Sequence, residues 1–125
     1  MTPLEHLEQI TLVNELRKRY PLTHAISNGG YRTKTAAKRL KDEGVLAGVP
    51  DLFIPELALY IELKRIKGGR LSPQQKDFIE ALKNTPCRSI VAYGYKDALD
   101  QIKSLNESNP RFLSMLSQNL IKNHS

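Results

Sequence analysis

Apolar residues recur every three or four positions over residues 4–20, at Leu4, Leu7, Ile10, Val13, Leu16 and Tyr20. That spacing predicts an amphipathic helix, opened by Thr2-Pro3 with Glu5 in a capping-box position and ended by Pro21. His24, Ala25 and Ile26 form a short extended piece leading to Ser27-Asn28-Gly29-Gly30, where Asn and two glycines favour a tight turn. Thr33 or Thr35 can cap a second helix through Ala36, Ala37 and Leu40, closed by Gly44.

The period then changes. Leu52-Phe53-Ile54 is a short apolar run, Pro55-Glu56 turns it, and residues 57–64 alternate strictly. Ala58, Tyr60, Glu62 and Lys64 fall on one face of that strand, and Leu57, Leu59, Ile61 and Leu63 on the other. A hairpin whose apolar back packs on the first helix is the expected arrangement. Ser72-Pro73 with Gln75 opens a third helix in a capping box, with Phe78, Ile79 and Leu82 inward. Residues 88–93 contain the run SIVAY, a buried strand. A helix from Lys96 or Asp97 follows through Ala98, Leu99, Ile102 and Leu105, and residues 106–109 interrupt its pattern. Phe112, Leu113, Leu116, Leu120 and Ile121 predict a last short helix. The strand–helix–strand–helix order implies an α/β fold, a central mixed sheet flanked by helices with a right-handed crossover between the last two strands.

With 125 residues, one domain with a real core is expected. A single cysteine, Cys87, rules out an intramolecular disulfide, and the three histidines show no zinc-ligand spacing. No apolar run approaches the ~20 residues of a membrane span. The N-terminus has no signal-peptide pattern, so the expected compartment is the cytoplasm. Charge changes the picture more. The chain has 19 Lys and Arg against 13 Asp and Glu, a net +6 that favours a polyanionic partner such as DNA. The positive charges cluster: residues 32–41 carry Arg32, Lys34, Lys38, Arg39 and Lys41 and no acid, and residues 64–70 carry Lys64, Arg65, Lys67 and Arg70.

Between these clusters lie the chain's unusual polar residues. Asp51 opens one strand of the hairpin, and Glu62 and Lys64 interrupt the apolar return strand on one face. Burying such charges is costly unless they pair or hold a metal. Asp51 and Glu62 suit a hard divalent ion, Mg²⁺ or Mn²⁺, with the Leu63 carbonyl as a further ligand and Glu8 of the first helix as another. Lys64 would sit beside the activated water. The set points to a metal-dependent hydrolase, and the basic rim to a phosphate backbone as substrate. Asn28, Arg32 and the basic face of the second helix (Lys34, Lys38, Arg39) are candidate DNA contacts, as are Arg65, Lys67 and Arg70.

Pro50-Asp51, followed eleven positions later by Glu62-Leu63-Lys64, resembles the PD-(D/E)xK nuclease signature. Four further groups widen the pattern: Asn28-Gly29-Gly30 with Arg32; Gly44-Val45 and Gly48-Val49-Pro50-Asp51-Leu52; Tyr60-Ile61; and Gly69-Arg70-Leu71-Ser72-Pro73 with Gln75. Together they are similar to the virus-type replication-repair nuclease (VRR-NUC) branch. The resemblance runs from about Glu8 to Ala98. It implies a restriction-endonuclease-like core, dependence on Mg²⁺ or Mn²⁺, and cleavage of structured DNA. Asp51, Glu62 and Lys64 match the catalytic triad, Gln75 the glutamine that accompanies it, and Glu8 the helix-one glutamate, with Glu5 in its place if the register differs. The chain resembles the stand-alone phage and bacterial type, which implies a homodimer acting on branched DNA such as a Holliday junction. On this reading residues 1–125 are one nuclease domain, and 106–125 a C-terminal extension that is a candidate dimer element. Nicking, flap or plain duplex cleavage on the same core are the alternatives within the class. A non-catalytic DNA-binding module is the alternative outside it.

Overall fold

A computed structural model of the chain describes residues 3–27 and 33–108. The expected turn with Asn28 and Arg32, and the helix expected beyond residue 108, lie outside the described residues. The elements are α1 (Pro3–Arg17), β1 (His24–Ala25), α2 (Lys34–Asp42), β2 (Leu52–Ile54), a 3₁₀ turn (Pro55–Leu57), β3 (Leu59–Lys64), α3 (Pro73–Leu82), β4 (Arg88–Tyr93) and α4 (Tyr95–Ser108). The strands form one mixed sheet in the order β1-β2-β3-β4, the first two pairings antiparallel and the last parallel. This is the expected α/β architecture, with α3 as the crossover between parallel neighbours.

The two faces of the sheet do different work. Leu52, Ile54, Leu59, Ile61, Ile90 and Ala92 point to one side and join Leu12, Leu16 and Tyr20 of α1 and Ala98 and Ile102 of α4 in a single core. Burying such aliphatic side chains, at ~1.5–3 kcal/mol each, is what holds the helices to the sheet. On the other side Tyr60 packs edge-on against Phe78 of α3, and Phe53 lies against Tyr60. Glu62 shares that side. β3 is therefore apolar towards α1 and α4, and chemically equipped towards α3.

Several local expectations change. β3 starts at Leu59 rather than at 57, because the 3₁₀ turn closes with Ala58 N–H donating to the Pro55 carbonyl (3.1 Å). Ala58 takes a left-handed conformation (φ 47°, ψ 47°) to re-enter the sheet. α1 ends at Arg17, and in the turn that follows the Tyr20 N–H donates to the Leu16 carbonyl (2.7 Å). The inward face of α1 also differs. Leu12 and Leu16 are buried, whereas Leu4, Leu7 and Ile10 are 76%, 58% and 44% exposed. Counting turns from Leu16 explains this: Leu12, Gln9, Glu8 and Glu5 lie on its side of the helix, and Leu4, Leu7 and Ile10 on the opposite one. The first turns of α1 thus meet the sheet with polar residues. α4 passes through Asn106 without a break, since Asn106 Nδ2 donates to the Tyr20 hydroxyl (2.6 Å) in a buried contact that ties the ends of α1 and α4.

Candidate active site

The short β2 strand and its longer partner β3 leave Asp51 and Glu62 facing each other where the hairpin opens. Leu52 pairs with Ile61, which places Asp51 one step beyond the ladder. Its carboxylate is fixed there by the Leu63 backbone, whose N–H donates to Asp51 Oδ2 (2.8 Å). In an extended strand a residue's N–H and C=O share one edge, so the Leu63 carbonyl faces the side of β3 from which Asp51 is held.

Glu62 is only 2% exposed. Its Oε1 accepts from Gln75 Nε2 (2.9 Å) and lies 3.4 Å from Lys64 Nζ. Its Oε2 is buried with no hydrogen-bond partner among the described residues. Gln75 can reach Glu62 because it is already immobilised. Its own Oε1 accepts from Ser72 N–H (2.8 Å), and its N–H donates to Ser72 Oγ (3.2 Å), the two halves of the capping box that starts α3. One glutamine therefore caps the helix and orients a carboxylate on the neighbouring strand. Gly48 brings the Asp51 loop to the same place. Its φ of +85° and the backbone of Gln74, 2.3 Å from where a Cβ would stand, admit only glycine.

Burial raises the pKa of Asp51, with the Leu63 N–H, Glu62 and Lys64 pulling against it. Glu62 is pushed up to about 7, by burial first and then by the Asp51 charge, with Lys64 opposing. The two carboxylates lie within hydrogen-bonding reach of each other, and they titrate as a pair. Both find their charged forms disfavoured, which is the situation a nearby cation relieves.

These residues line one open cleft of about 1100 Å³ together with Glu5, Gln9, Leu63, Lys64, Arg65, Arg70, Ser72 and Gln75. Of the residues expected at the site, the structure brings Asp51, Glu62, Leu63, Lys64 and Gln75 together, with Arg65 and Arg70 on the rim. Glu8 is elsewhere. Its Oε2 accepts from the Tyr95 backbone N–H (2.8 Å) and so caps α4 from α1. Glu5, one turn earlier, lines the cleft and pairs with Arg65 (3.3 Å). Lys34, Lys38 and Arg39 stand on α2, which buries no residue; Lys38 pairs with Asp42 on the same helix and Arg39 with Glu43 at its C-cap. Lys67 is exposed on the β3–α3 loop. Gln9, not singled out from the sequence, joins the cleft because it sits one turn after Glu5. That i,i+4 relation was the available signal.

A model of the VRR-NUC domain matches residues 5–96, most of the chain and the whole of the site. The chain belongs to the VRR-NUC domain family. A solved structure described as a VRR_NUC domain protein is similar to it, at 26% identity and a TM-score of 0.66, over 83% of this chain and 88% of that one. A comparison with curated proteins returns no match. The VRR-NUC fold thus belongs to a nuclease-domain family, and the region that defines it here runs from α1 to the start of α4.

A divalent metal fits the donors present in this VRR-NUC site. Among the described residues no three His, Cys, Asp or Glu side chains gather into a closed metal cage. Mg²⁺ does not require one, because it keeps several waters and is commonly held by one or two carboxylates. Asp51, the unpartnered and buried Oε2 of Glu62, and a backbone carbonyl are hard oxygen donors of that kind. The orphaned oxygen is the deciding detail, since a buried carboxylate oxygen without a donor or cation is costly.

Proposed function

We propose that this protein is a Mg²⁺- or Mn²⁺-dependent endonuclease that hydrolyses phosphodiester bonds of branched DNA, four-way junctions foremost, as a homodimer. The observation that carries the reading is the pairing of Asp51 with a buried, half-satisfied Glu62 beside the Lys64 ammonium, in a cleft rimmed by arginines. Asp51, Glu62 and the Leu63 carbonyl would hold the ion. When bound, it supplies Lewis acidity, lowering the pKa of water and offsetting phosphate charge.

The chain's own side chains do the rest. Gln75 and Lys64 occupy Glu62 Oε1, so Oε2 is the oxygen that would serve the ion. Lys64 Nζ has three donors and, among the described residues, one carboxylate oxygen within salt-bridge distance, so it has N–H groups left for the non-bridging phosphate oxygen that gains charge. Arg65 and Arg70 on the rim, with Lys67 beyond, would take backbone phosphates. Lys34, Lys38 and Arg39 on α2 would extend the contact. The ion pairs of Lys38 with Asp42 and of Arg39 with Glu43 are exposed and weak enough to be exchanged for phosphates. As the helix-one carboxylate at the site we assign Glu5, because Glu8 is committed to the start of α4. A four-way junction has two-fold symmetry, and a C2 dimer would present two such sites to it.

Four-way junction, flap, nicked and linear duplex DNAs, incubated with Mn²⁺ or Mg²⁺ beside the Asp51→Asn protein, test the proposal. Metal-dependent cleavage of junctions by paired cuts, absent in the variant, is expected. Cleavage of flap or duplex in preference would reassign the substrate. No cleavage of any, with Asp51→Asn binding DNA like the parent, would point to a non-catalytic DNA-binding module.

A further inference from the structure

The cleft contains a second acceptor without a donor. Among the described residues Gln9 Oε1, like Glu62 Oε2, is buried and has no hydrogen-bond partner, and both residues line the same cleft. Asn106 Oδ1, the other such atom among the described residues, belongs to a residue at the far ends of α1 and α4 and not to the cleft lining. A buried acceptor left unmade costs about 1–3 kcal/mol. Two of them on residues that line one cleft point to a common occupant. A carboxylate oxygen asks for a cation, and a neutral amide oxygen asks for an O–H or N–H donor. A hydrated divalent ion is one species that supplies both, because Mg²⁺ gives up its waters reluctantly and the metal makes their protons stronger donors.

We infer that Gln9 is a positioning residue for the ion, its carboxamide oxygen accepting a hydrogen bond from the ion's retained hydration water. The inference rests on the metal-dependent reading above and adds a residue to it. α1 delivers Gln9 to the cleft one turn after Glu5, with Leu12 and Leu16 anchoring the same helix face in the core, so the acceptor sits on a rigid element. The dependence on retained water has a signature. Mg²⁺ keeps its waters more firmly than Mn²⁺, so the loss of Gln9 falls more heavily on Mg²⁺.

The experiment is calorimetric titration of Mg²⁺ and of Mn²⁺ into the full chain without DNA, with metal-free melting temperatures measured alongside. Gln9→Met keeps the length of the side chain and removes the acceptor. We expect its metal-free melting temperature to match or exceed that of the wild type, since an unmade acceptor has been removed. Mg²⁺ affinity falls on the order of tenfold, and Mn²⁺ affinity falls less. Gln9→Glu restores an acceptor and returns Mg²⁺ affinity to at least the wild-type value. If Gln9→Met loses its cooperative transition, Gln9→Leu takes its place. Mg²⁺ binding by the Met or Leu variant as tight as, or tighter than, the wild type overturns the inference. Tighter binding would mean that the carboxamide is rotated and aims its N–H₂ at the carboxylates, competing with the ion. Glu62→Gln separates the two levels. If the wild type binds ions, Glu62→Gln does not, and Gln9→Met equals the wild type, only the role of Gln9 fails. If the wild type binds neither ion, the metal-dependent reading fails with it.

Discussion

Replacing Glu62 by Gln should stabilise the metal-free protein in alkaline solution while removing its response to metal. The glutamine mimics the neutral acid. Its oxygen can take the Gln75 hydrogen bond, and its nitrogen places a donor beside the Asp51 carboxylate in the position of the unpartnered Oε2. The folded-state pKa of Glu62 is raised from its ordinary 4.5 to about 7. A carboxyl raised on folding binds protons more tightly in the folded than in the unfolded chain. Its contribution is therefore fully present below about pH 4.5 and is lost as the pH rises through about 7. Between those limits each unit is worth ~1.4 kcal/mol, so the loss at about pH 8 is roughly 3 kcal/mol, against less than roughly 1 kcal/mol at about pH 5. Asp51, raised for the same reason, adds with the same sign.

The variant escapes the Glu62 part of this loss. Its advantage in unfolding free energy should grow by about 2 kcal/mol between about pH 5 and about pH 8, a widening in melting temperature on the order of 10 °C for a domain of this size. Thermal melts in chelator at both pH values, repeated with Mn²⁺, give the measurement. Metal should raise the wild-type melting temperature at the higher pH, because it binds the ionised pair. The variant should respond little. An advantage that stays constant across the two pH values would refute the burial argument, and a variant stabilised by Mn²⁺ as much as the wild type would remove Glu62 from the metal site.

Lys64→Ala should bind DNA and metal much as the wild type does, with turnover lower by about 10²–10³-fold, since its N–H groups act on charge that develops only during reaction; parent-like turnover contradicts that role. Converting Lys34, Lys38 and Arg39 to Gln should weaken DNA binding and make the salt dependence shallower, by up to about 3 in log–log slope if all three meet phosphates. An unchanged slope in a filter or anisotropy titration would take α2 off the interface. Ala58→Gly should raise stability by roughly 1 kcal/mol in urea melts, because the left-handed backbone at this position (φ 47°) penalises a Cβ more than the extra freedom of glycine costs; a destabilised variant would mean that the Ala58 methyl packs better than its conformation suggests.

Elements defined by neighbouring residues were legible in the amino-acid order. Alternation across 57–64, which holds as a strand from Leu59, set Glu62 and Lys64 on one face, and a Ser-Pro-x-Gln start with Gly48 close before Asp51 named the parts of the site. Such features are local: strand geometry, capping and turns are decided within a few residues. What needed the fold was which face of each element meets which neighbour. The apolar positions 4, 7 and 10 of α1 suggested an inner stripe, yet the helix turns Glu5, Glu8 and Gln9 towards the sheet, because the core it joins begins at Leu12. The same rotation sends Glu8 to α4 and Glu5 to the cleft, a choice between two glutamates on one helix that no spacing within the helix could make. Asn106 reads as a helix breaker until Tyr20, 86 positions away, gives its side chain a partner. Local order specifies which groups lie side by side on an element. Only packing, by choosing the rotation and depth of that element against the sheet, decides which of them share a pocket.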